Sequence, residues 1–399
     1  MPRFEPFRAL RYATAPLDQV WAPPYDVLSE SDRAELAGCH RHNIVNVDVP
    51  LESDGPDRYD AAARVLASWI ADGVLERDPR PSFSLYRMTF VDSTGRRRTT
   101  VGVIGALEVV DEGAGGVLPH ERTTPKAKTD RLDLTRATRT NLSPVWGLSL
   151  ATGLTKLLEA PGEPLGSMDV DGVRHEIERV DDPERVATIA NAVAGSDVVI
   201  ADGHHRYAIS RTFRDEERAA GRRGDAELVL TYVGELVDEQ LSVEAIHRLY
   251  SAIDATTLAE ALQPFFDISP AGLVEPGITA EMERRGALVL VRPDRTGLFL
   301  SPRPEAFAGV RDLDGARLEH ALASISHEVT YQHGVGLVTD IVESGRATAG
   351  VLIRPVTVAE IRRTADEGLL MPPKSTFFTP KLRTGPVLRP LDDQNDLVR

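Results

Sequence analysis

The chain reads as a mixed α/β protein, and three observations predict that class. Through roughly the first 250 residues, short β-branched apolar runs alternate with stretches whose apolar residues recur at helical spacing. One run, Val198-Val199-Ile200-Ala201, leads into Asp202-Gly203-His204-His205-Arg206-Tyr207, a strand, a glycine turn and a helix start. From about Thr256 the pattern changes to hairpins and separate helices, which suits a smaller α+β subdomain. The expected domains are 1–255, 256–355, and a C-terminal helix and tail, 356–399, returning toward the core.

The elements follow in order. Ser31 to Gly38 predicts a helix stopped by its glycine, and strand-like Ile44–Val49 comes after it. Tyr59 to Gly73 is an amphipathic helix with Ala62, Val65, Leu66, Trp69 and Ile70 on its apolar side. Phe83–Phe90 and Arg98–Val110 are strands joined through Ser93-Thr94-Gly95, and Val145–Leu150 is another. Pro161 to Gly166, with two prolines and two glycines, reads as a loop. Val173–Val180 is a strand and Asp182–Ala194 a helix. The Val198–Asp202 strand precedes a helix from Tyr207 to about Arg218, and Glu227–Leu236 is the next strand. In the second region, Ala287–Val291 and Leu298–Leu300 form a hairpin around Asp294-Arg295-Thr296-Gly297. A long helix is expected over Leu313–His327, and Val358–Glu367 is a helix ended by Gly368.

Composition narrows the function classes. The chain has 399 residues, 42% of them hydrophobic and 27% charged, enough for a large core and two or three domains. A net charge of −15 repels phosphodiester backbones, which argues against nucleic acid as a partner. No window approaches the ~18 apolar residues of a membrane span and no secretory h-region opens the chain, so a cytoplasmic protein is expected, without a membrane partner. The single cysteine, Cys39, excludes a disulfide framework and a cysteine-rich zinc site. Between His120 and Asn141, six cations (Arg122, Lys126, Lys128, Arg131, Arg136 and Arg139) face only Glu121, Asp130 and Asp133. That local excess suits a small anionic ligand, although most of these side chains belong to a solvated helix. Oligomeric state is not encoded in any of this.

The Asp202–Tyr207 stretch carries the most chemistry. A glycine turn between strand and helix converges backbone N–H groups on an anion, and the helix dipole favours negative charge there. His204, His205 and Arg206 add hydrogen-bond donors where a transferring phosphoryl group would sit. The same residues read without a ligand are a helix cap, a φ-positive glycine and polar turn residues.

Four ordered segments also carry a family resemblance. They are Ala22-Pro23-Pro24-Tyr25-Asp26-Val27; His120-Glu121-Arg122-Thr123, with Lys128-Thr129-Asp130-Arg131-Leu132 and Asn141-Leu142-Ser143-Pro144; Asp202-Gly203-His204-His205-Arg206-Tyr207; and Lys374-Ser375-Thr376-Phe377-Phe378. Over nearly the whole chain they resemble the bacterial and archaeal domain-of-unknown-function family 1015, whose name supplies no function. The Gly-His-His-Arg turn is also similar to the nucleotide-binding box shared by the chromosome-partitioning ParB domain, sulfiredoxin and the archaeal free-serine kinase. That resemblance implies a ParB/sulfiredoxin-like nucleotide-binding core, with phosphates on the turn and the following helix, and it makes Glu121 the match to an upstream acidic base. Gly38-Cys39-His40-Arg41 reproduces the sulfiredoxin string but follows a helix. There Gly38 reads as a C-cap and Cys39 as a small buried residue. His204 stands where sulfiredoxin has its cysteine, so cysteine chemistry is not expected.

The resulting assignment has Glu121, His204 and Asp202 as catalytic groups, with Asp202 holding Mg²⁺ directly or through water. Gly203, His205 and Arg206 cradle phosphate, and Lys126, Lys128, Arg131 and Lys374 reach distal phosphates or a substrate carboxylate. Lys374 either folds back over the site or packs the tail beside Phe377 and Phe378. Asp26 and His120 contact the substrate. The expected activity is a kinase using a nucleotide (ATP or ADP) to phosphorylate a small hydroxyl compound, such as free L-serine or a similar hydroxy-acid. Two alternatives stay open: a metal-dependent hydrolase built on the His/Asp/Glu cluster, and a nucleotide-binding regulator without turnover.

Overall fold

The computed structural model of the chain describes residues 1–122 and 129–392. The fold is mixed α/β, and contacts divide it into two units: Met1–Ser242 with Pro380–Arg399, and Val243–Thr379. The expected boundaries at 255 and 355 therefore differ from the observed ones. Ile246–Ser251 pairs with strands of the second unit, and the helix Val358–Asp366 also belongs there.

The first unit is built on a nine-stranded sheet. Its strands are β1 (Phe4–Glu5), β2 (Phe83–Val91), β3 (Arg97–Glu108), β4 (Val117–Pro119), β5 (Val145–Ser149), β6 (Glu163–Val170), β7 (Val173–Val180), β8 (Val198–Asp202) and β9 (Leu228–Glu235). Their spatial order is β4-β8-β5-β9-β3-β2-β7-β6, with β1 beside β3. The pairs β4/β8 and β5/β9 are parallel and the others antiparallel, which makes the sheet mixed. Alternate residues of β2, β3, β5, β8 and β9 bury on one face, including Leu85, Val103, Val145, Ile200 and Val233. Leu154, Leu158, Ile189 and Val193 from helices α4 (Leu154–Glu159) and α5 (Pro183–Ala194) cover that face.

A second apolar cluster gathers α1 (Glu30–Cys39) and α2 (Arg58–Ala71) around α3 (Thr129–Thr138). Ala62, Leu66 and Trp69 fall on one face of α2 at spacings of four and three, and they bury against Val45 and Val47. That burial overrides the strand pattern of Ile44–Val49, which forms a helical turn at Val45–Asp48 instead. Helix α1 starts at a Ser29–Asp32 capping box and runs through Gly38 to Cys39, so Gly38 is not its cap. Cys39 is exposed rather than buried.

Two further expectations are corrected. The Pro161–Gly166 loop is largely β6, a sheet-edge strand, where the missing N–H of Pro164 is tolerated. The long helix over Leu313–His327 is shorter, Asp314–Ala321, because Glu328–His333 is an edge strand beside Ile246–Ser251. The second unit is an antiparallel six-stranded sheet buried on both faces: Leu288, Leu290 and Val351 face one cluster, and Val289, Val291 and Leu352 the other. Among the described residues, no helix is long and apolar enough to cross a membrane.

Both units bury histidines in neutral form. In the first, His175 meets the Tyr86 hydroxyl at 2.9 Å, and burial with the nearby Arg383 pushes its pKa down to about 4. In the second, the Nδ1 of His247 accepts from the Ile353 amide at 3.2 Å, and burial again pushes the pKa to about 4. A depressed histidine pKa means that the unfolded chain binds the proton first, so stability falls as pH drops from about 6.5 toward 4. Each site is expected to remove on the order of 2–3 kcal/mol over that window. In calorimetric melts from pH 7 to 4, His175→Gln and His247→Gln should each flatten the decline, and unchanged slopes would refute the assignment.

Candidate active site

The parallel pairing of β4 with β8 builds the site. Val117, Leu118 and Pro119 lie opposite Val198, Val199 and Ile200, so His120 and Glu121 emerge beside Ala201 and Asp202. At the same end, Gly203 takes a left-handed conformation (φ +85°) and α6 begins at once, His204–Ala219. Glycine is required there. A side chain would be strained at that φ, and its Cβ would sit 3.0 Å from the Arg206 guanidinium carbon. Helix α6 thus starts at His204 rather than Tyr207, which puts both histidines and Arg206 in its first turn.

The N-cap of α6 is Gly203, which has no side chain to cap with, and the hydrogen-bond ladder begins with the Tyr207 amide donating to Gly203 O at 2.9 Å. The amides of the first turn therefore precede the ladder, at the positive end of a sixteen-residue helix. The helix is firmly mounted. The Tyr207 hydroxyl donates to Glu108 O and accepts from the Val110 amide, and the buried Arg214 binds Val109 O, Asp111 and Asp215.

His120 is fully buried, and its Nδ1 lies 2.5 Å from Ile200 O. A carbonyl only accepts, so Nδ1 carries the proton and the Nε2 of the neutral ring is an acceptor. That Nε2 lies 3.9 Å from a Glu121 carboxylate oxygen. The His120 and His204 rings stand 4.9 Å apart. Burial drives the His120 pKa down, against the opposing pull of Glu121, the Ile200 carbonyl and Asp202.

Asp202 has both oxygens on cations. Lys381 Nζ donates to Oδ1 at 2.7 Å and Arg206 Nη2 to Oδ2 at 2.5 Å. Burial opposes its ionisation, but Lys381, Arg206 and His204 outweigh burial and hold the carboxyl far below the usual range. Arg206 also donates to Pro144 O, and Asp26, Tyr25 and Asp48 join Asp202 in favouring its charge. A Mg²⁺ ion at Asp202 would share its carboxylate with Lys381 and Arg206. Among the described residues, no three His, Cys, Asp or Glu side chains converge as a metal site.

The structure thus brings together His120, Glu121, Asp202, Gly203, His204 and Arg206, with His205 on the same helical turn and Asp26 among the charges around Arg206. Arg131 shares a cleft with Arg206, but its guanidinium binds Asp48 Oδ1 and Asp130 Oδ2, both at 3.1 Å, and stacks on Tyr25 at 4.0 Å. Lys374 belongs to the second unit, in a positive-φ turn (+56°) whose carbonyl accepts from Arg248. Lys126 and Lys128 lie outside the described residues. Sequence reasoning missed Lys381, seven residues past the lysine it chose, and also Asp48, whose partner Arg131 is distant in sequence.

Comparison with known proteins gives the following. No curated protein matches the sequence. Among solved structures, a conserved hypothetical protein from Pyrococcus furiosus superposes at TM-score 0.38 and 14% identity, covering 70% of this chain and 93% of that one. SbnI from Staphylococcus aureus, with a C-terminal truncation, gives 0.40 and 13%, covering 73% and 90%. A free serine kinase in complex with AMP gives 0.38 and 13%, covering 68% and 87%. The family described as "Protein of unknown function (DUF1015)" matches residues 4–316, most of the chain, and the protein belongs to that family.

Proposed function

We propose that the protein is a nucleotide-dependent kinase that phosphorylates the hydroxyl of a small molecule, with free L-serine or a similar hydroxy-acid as acceptor. One observation carries the reading: a helix N-terminus that follows the left-handed Gly203, flanked by Arg206 and Lys381 on one side chain, Asp202, and by the His120–Glu121 pair from the neighbouring strand. Phosphoryl transfer needs positive charge held in place around the migrating group and a base that orients the attacking hydroxyl. The first-turn amides of α6, with Arg206 and Lys381 fixed by Asp202, supply the charge. Glu121 takes the hydroxyl proton as the acceptor oxygen bonds to phosphorus and the bond to the nucleotide's bridging oxygen breaks. The Nε2 of His120, an acceptor by virtue of its tautomer, holds the acceptor hydroxyl beside Glu121. No observation favours the hydrolase, since its metal site does not assemble among the described residues.

With labelled nucleotide, phosphate is expected to reach the acceptor only when a hydroxy-acid is present. Release of free phosphate at equal rates with and without it would count for a hydrolase, and binding without any product for a regulator. Glu121→Gln should lower turnover by roughly 10²–10⁴-fold at near-unchanged nucleotide affinity. Lys381→Met should weaken nucleotide binding by about tenfold, the worth of one charge-assisted contact. Equal, mild effects of both substitutions on both parameters would sink these roles.

The pH dependence has a definite sign. His120 must stay neutral to accept, and its lowered pKa keeps it neutral below the ordinary histidine range. The rate limb assigned to His120 should therefore lie at more acid pH than about 6.5, and His120→Asn should remove that limb. A limb that persists in His120→Asn would assign it elsewhere.

A further inference from the structure

Asp202, Asp26 and Asp48 all favour the charge of Arg206, and two of the three are paired. Asp202 is shared by Lys381 and Arg206, and Asp48 accepts from Arg131. Asp26 is exposed, and its carboxylate makes no hydrogen bond or ion pair among the described residues. Its backbone is nevertheless held in place. Pro23-Pro24 leads into a short helical turn, Tyr25–Val27, in which the Val27 amide donates to Pro24 O at 3.1 Å. Ala22 exchanges two backbone hydrogen bonds with Thr384, three residues past Lys381, and the Tyr25 ring lies 4.0 Å from the Arg131 guanidinium.

We propose that Asp26 holds the divalent cation, Mg²⁺, that accompanies the donor nucleotide, with phosphate oxygens and water completing the coordination. The inference rests on the kinase reading and adds to it the ion that links protein to phosphate. Mg²⁺ is commonly bound through one or two carboxylates together with substrate phosphates and several waters. Such a site needs no cage of three acidic or imidazole side chains, and none converges among the described residues.

Charge supplies the reason. A bare carboxylate beside a phosphate-binding guanidinium repels the anion that the guanidinium attracts, and a cation between carboxylate and phosphate reverses that repulsion. Arg206 makes the complementary demand. Its side chain is 10% exposed, and its buried Nε has no hydrogen-bond partner among the described residues. An unfilled donor and an unfilled acceptor on neighbouring groups call for a species negative on one side and positive on the other. A metal-bound phosphate meets that description, and so does a zwitterionic acceptor.

Sheet order decides between the two. β8, which delivers the phosphate turn, lies between β4 and β5, and Glu121 follows β4. Tyr25 sits instead with Asn141–Ser143, which lead into β5, and with Val229 of β9. Asp26, the next residue, is therefore on the side of the turn away from the base. An in-line transfer places attacking and leaving oxygens on opposite sides of phosphorus. The acceptor then belongs beside Glu121, and the leaving nucleotide with its cation beside Asp26.

The test is titration calorimetry of ATP and ADP on the full chain, with millimolar Mg²⁺ and with EDTA. The better nucleotide should bind the wild-type protein about tenfold or more tightly with Mg²⁺ than with EDTA. Asp26→Asn, at an exposed position and with an unchanged melting curve, should reduce that gain to about threefold or less. In EDTA the same variant should bind nucleotide as tightly as wild type or about twofold to threefold more tightly, because a charge that repels phosphate is gone. A wild-type affinity indifferent to Mg²⁺, or a Mg²⁺ gain that survives Asp26→Asn, overturns the assignment and leaves the phosphate turn standing. An effect of Asp26→Asn confined to the acceptor KM overturns it as well and gives the carboxylate to an acceptor ammonium. If neither nucleotide binds with or without Mg²⁺, the kinase reading falls and this inference with it.

Discussion

Asp202 held between Lys381 and Arg206 is the contact on which the site depends. A carboxylate in a poorly solvated position is costly to ionise, and these two cations, at 2.7 and 2.5 Å, reverse that cost. Each partner arrives on a different piece of chain. Asp202 ends β8, Arg206 lies in the first turn of α6, and Lys381 sits on the segment returning from the second unit. Arg206 then ties in a fourth piece through Pro144 O, the approach to β5. Removing either cation leaves an under-compensated carboxylate, a change worth a few kcal/mol in a setting this buried. One ion triad thus locates strand end, helix start and cleft wall together.

Around that triad, the mobility expected of a turn is taken away. Gly203 permits the left-handed step, the Tyr207 hydroxyl bridges Glu108 and Val110, and Arg214 and Glu217 fasten the later turns of α6. The His120 ring is fixed by the Ile200 carbonyl, which settles its tautomer as well as its position. Dipoles and charges held this way need little rearrangement when an anion arrives, which is the physical basis of electrostatic catalysis.

Much of this was legible in the sequence wherever the information is local. The Val198–Asp202 strand, the glycine turn and the donors after it stand in one uninterrupted string, and the strand periodicities of Phe83–Val91, Val173–Val180 and Leu228–Glu235 mark most of the main sheet. What failed is what depends on distant partners. Ile44–Val49 has strand composition but packs as a helical turn under Trp69. Glu163–Val170 has loop composition but lies at a sheet edge, where proline is harmless. Lys381 went unnoticed because, like Lys374, it sits beside a proline, and only the tertiary path puts it on Asp202. The partners of Asp202 were hidden for the same reason, since a lone acid after a strand does not reveal the cations that will neutralise it.

The chain leaves the first unit at Ser242 and comes back to it only at Pro380. Leu388 then completes the cluster around Ile44 and Trp69, and Arg389 binds the Leu228 carbonyl in the sheet region. During translation, all of Val243–Thr379 must emerge before these residues exist. A nascent first unit therefore waits with Asp202 facing one cation instead of two and with an open apolar seam. A message cut short just after the codon for Thr379 would yield a protein with nearly every helix and strand in place yet lacking the ammonium that balances its central acid.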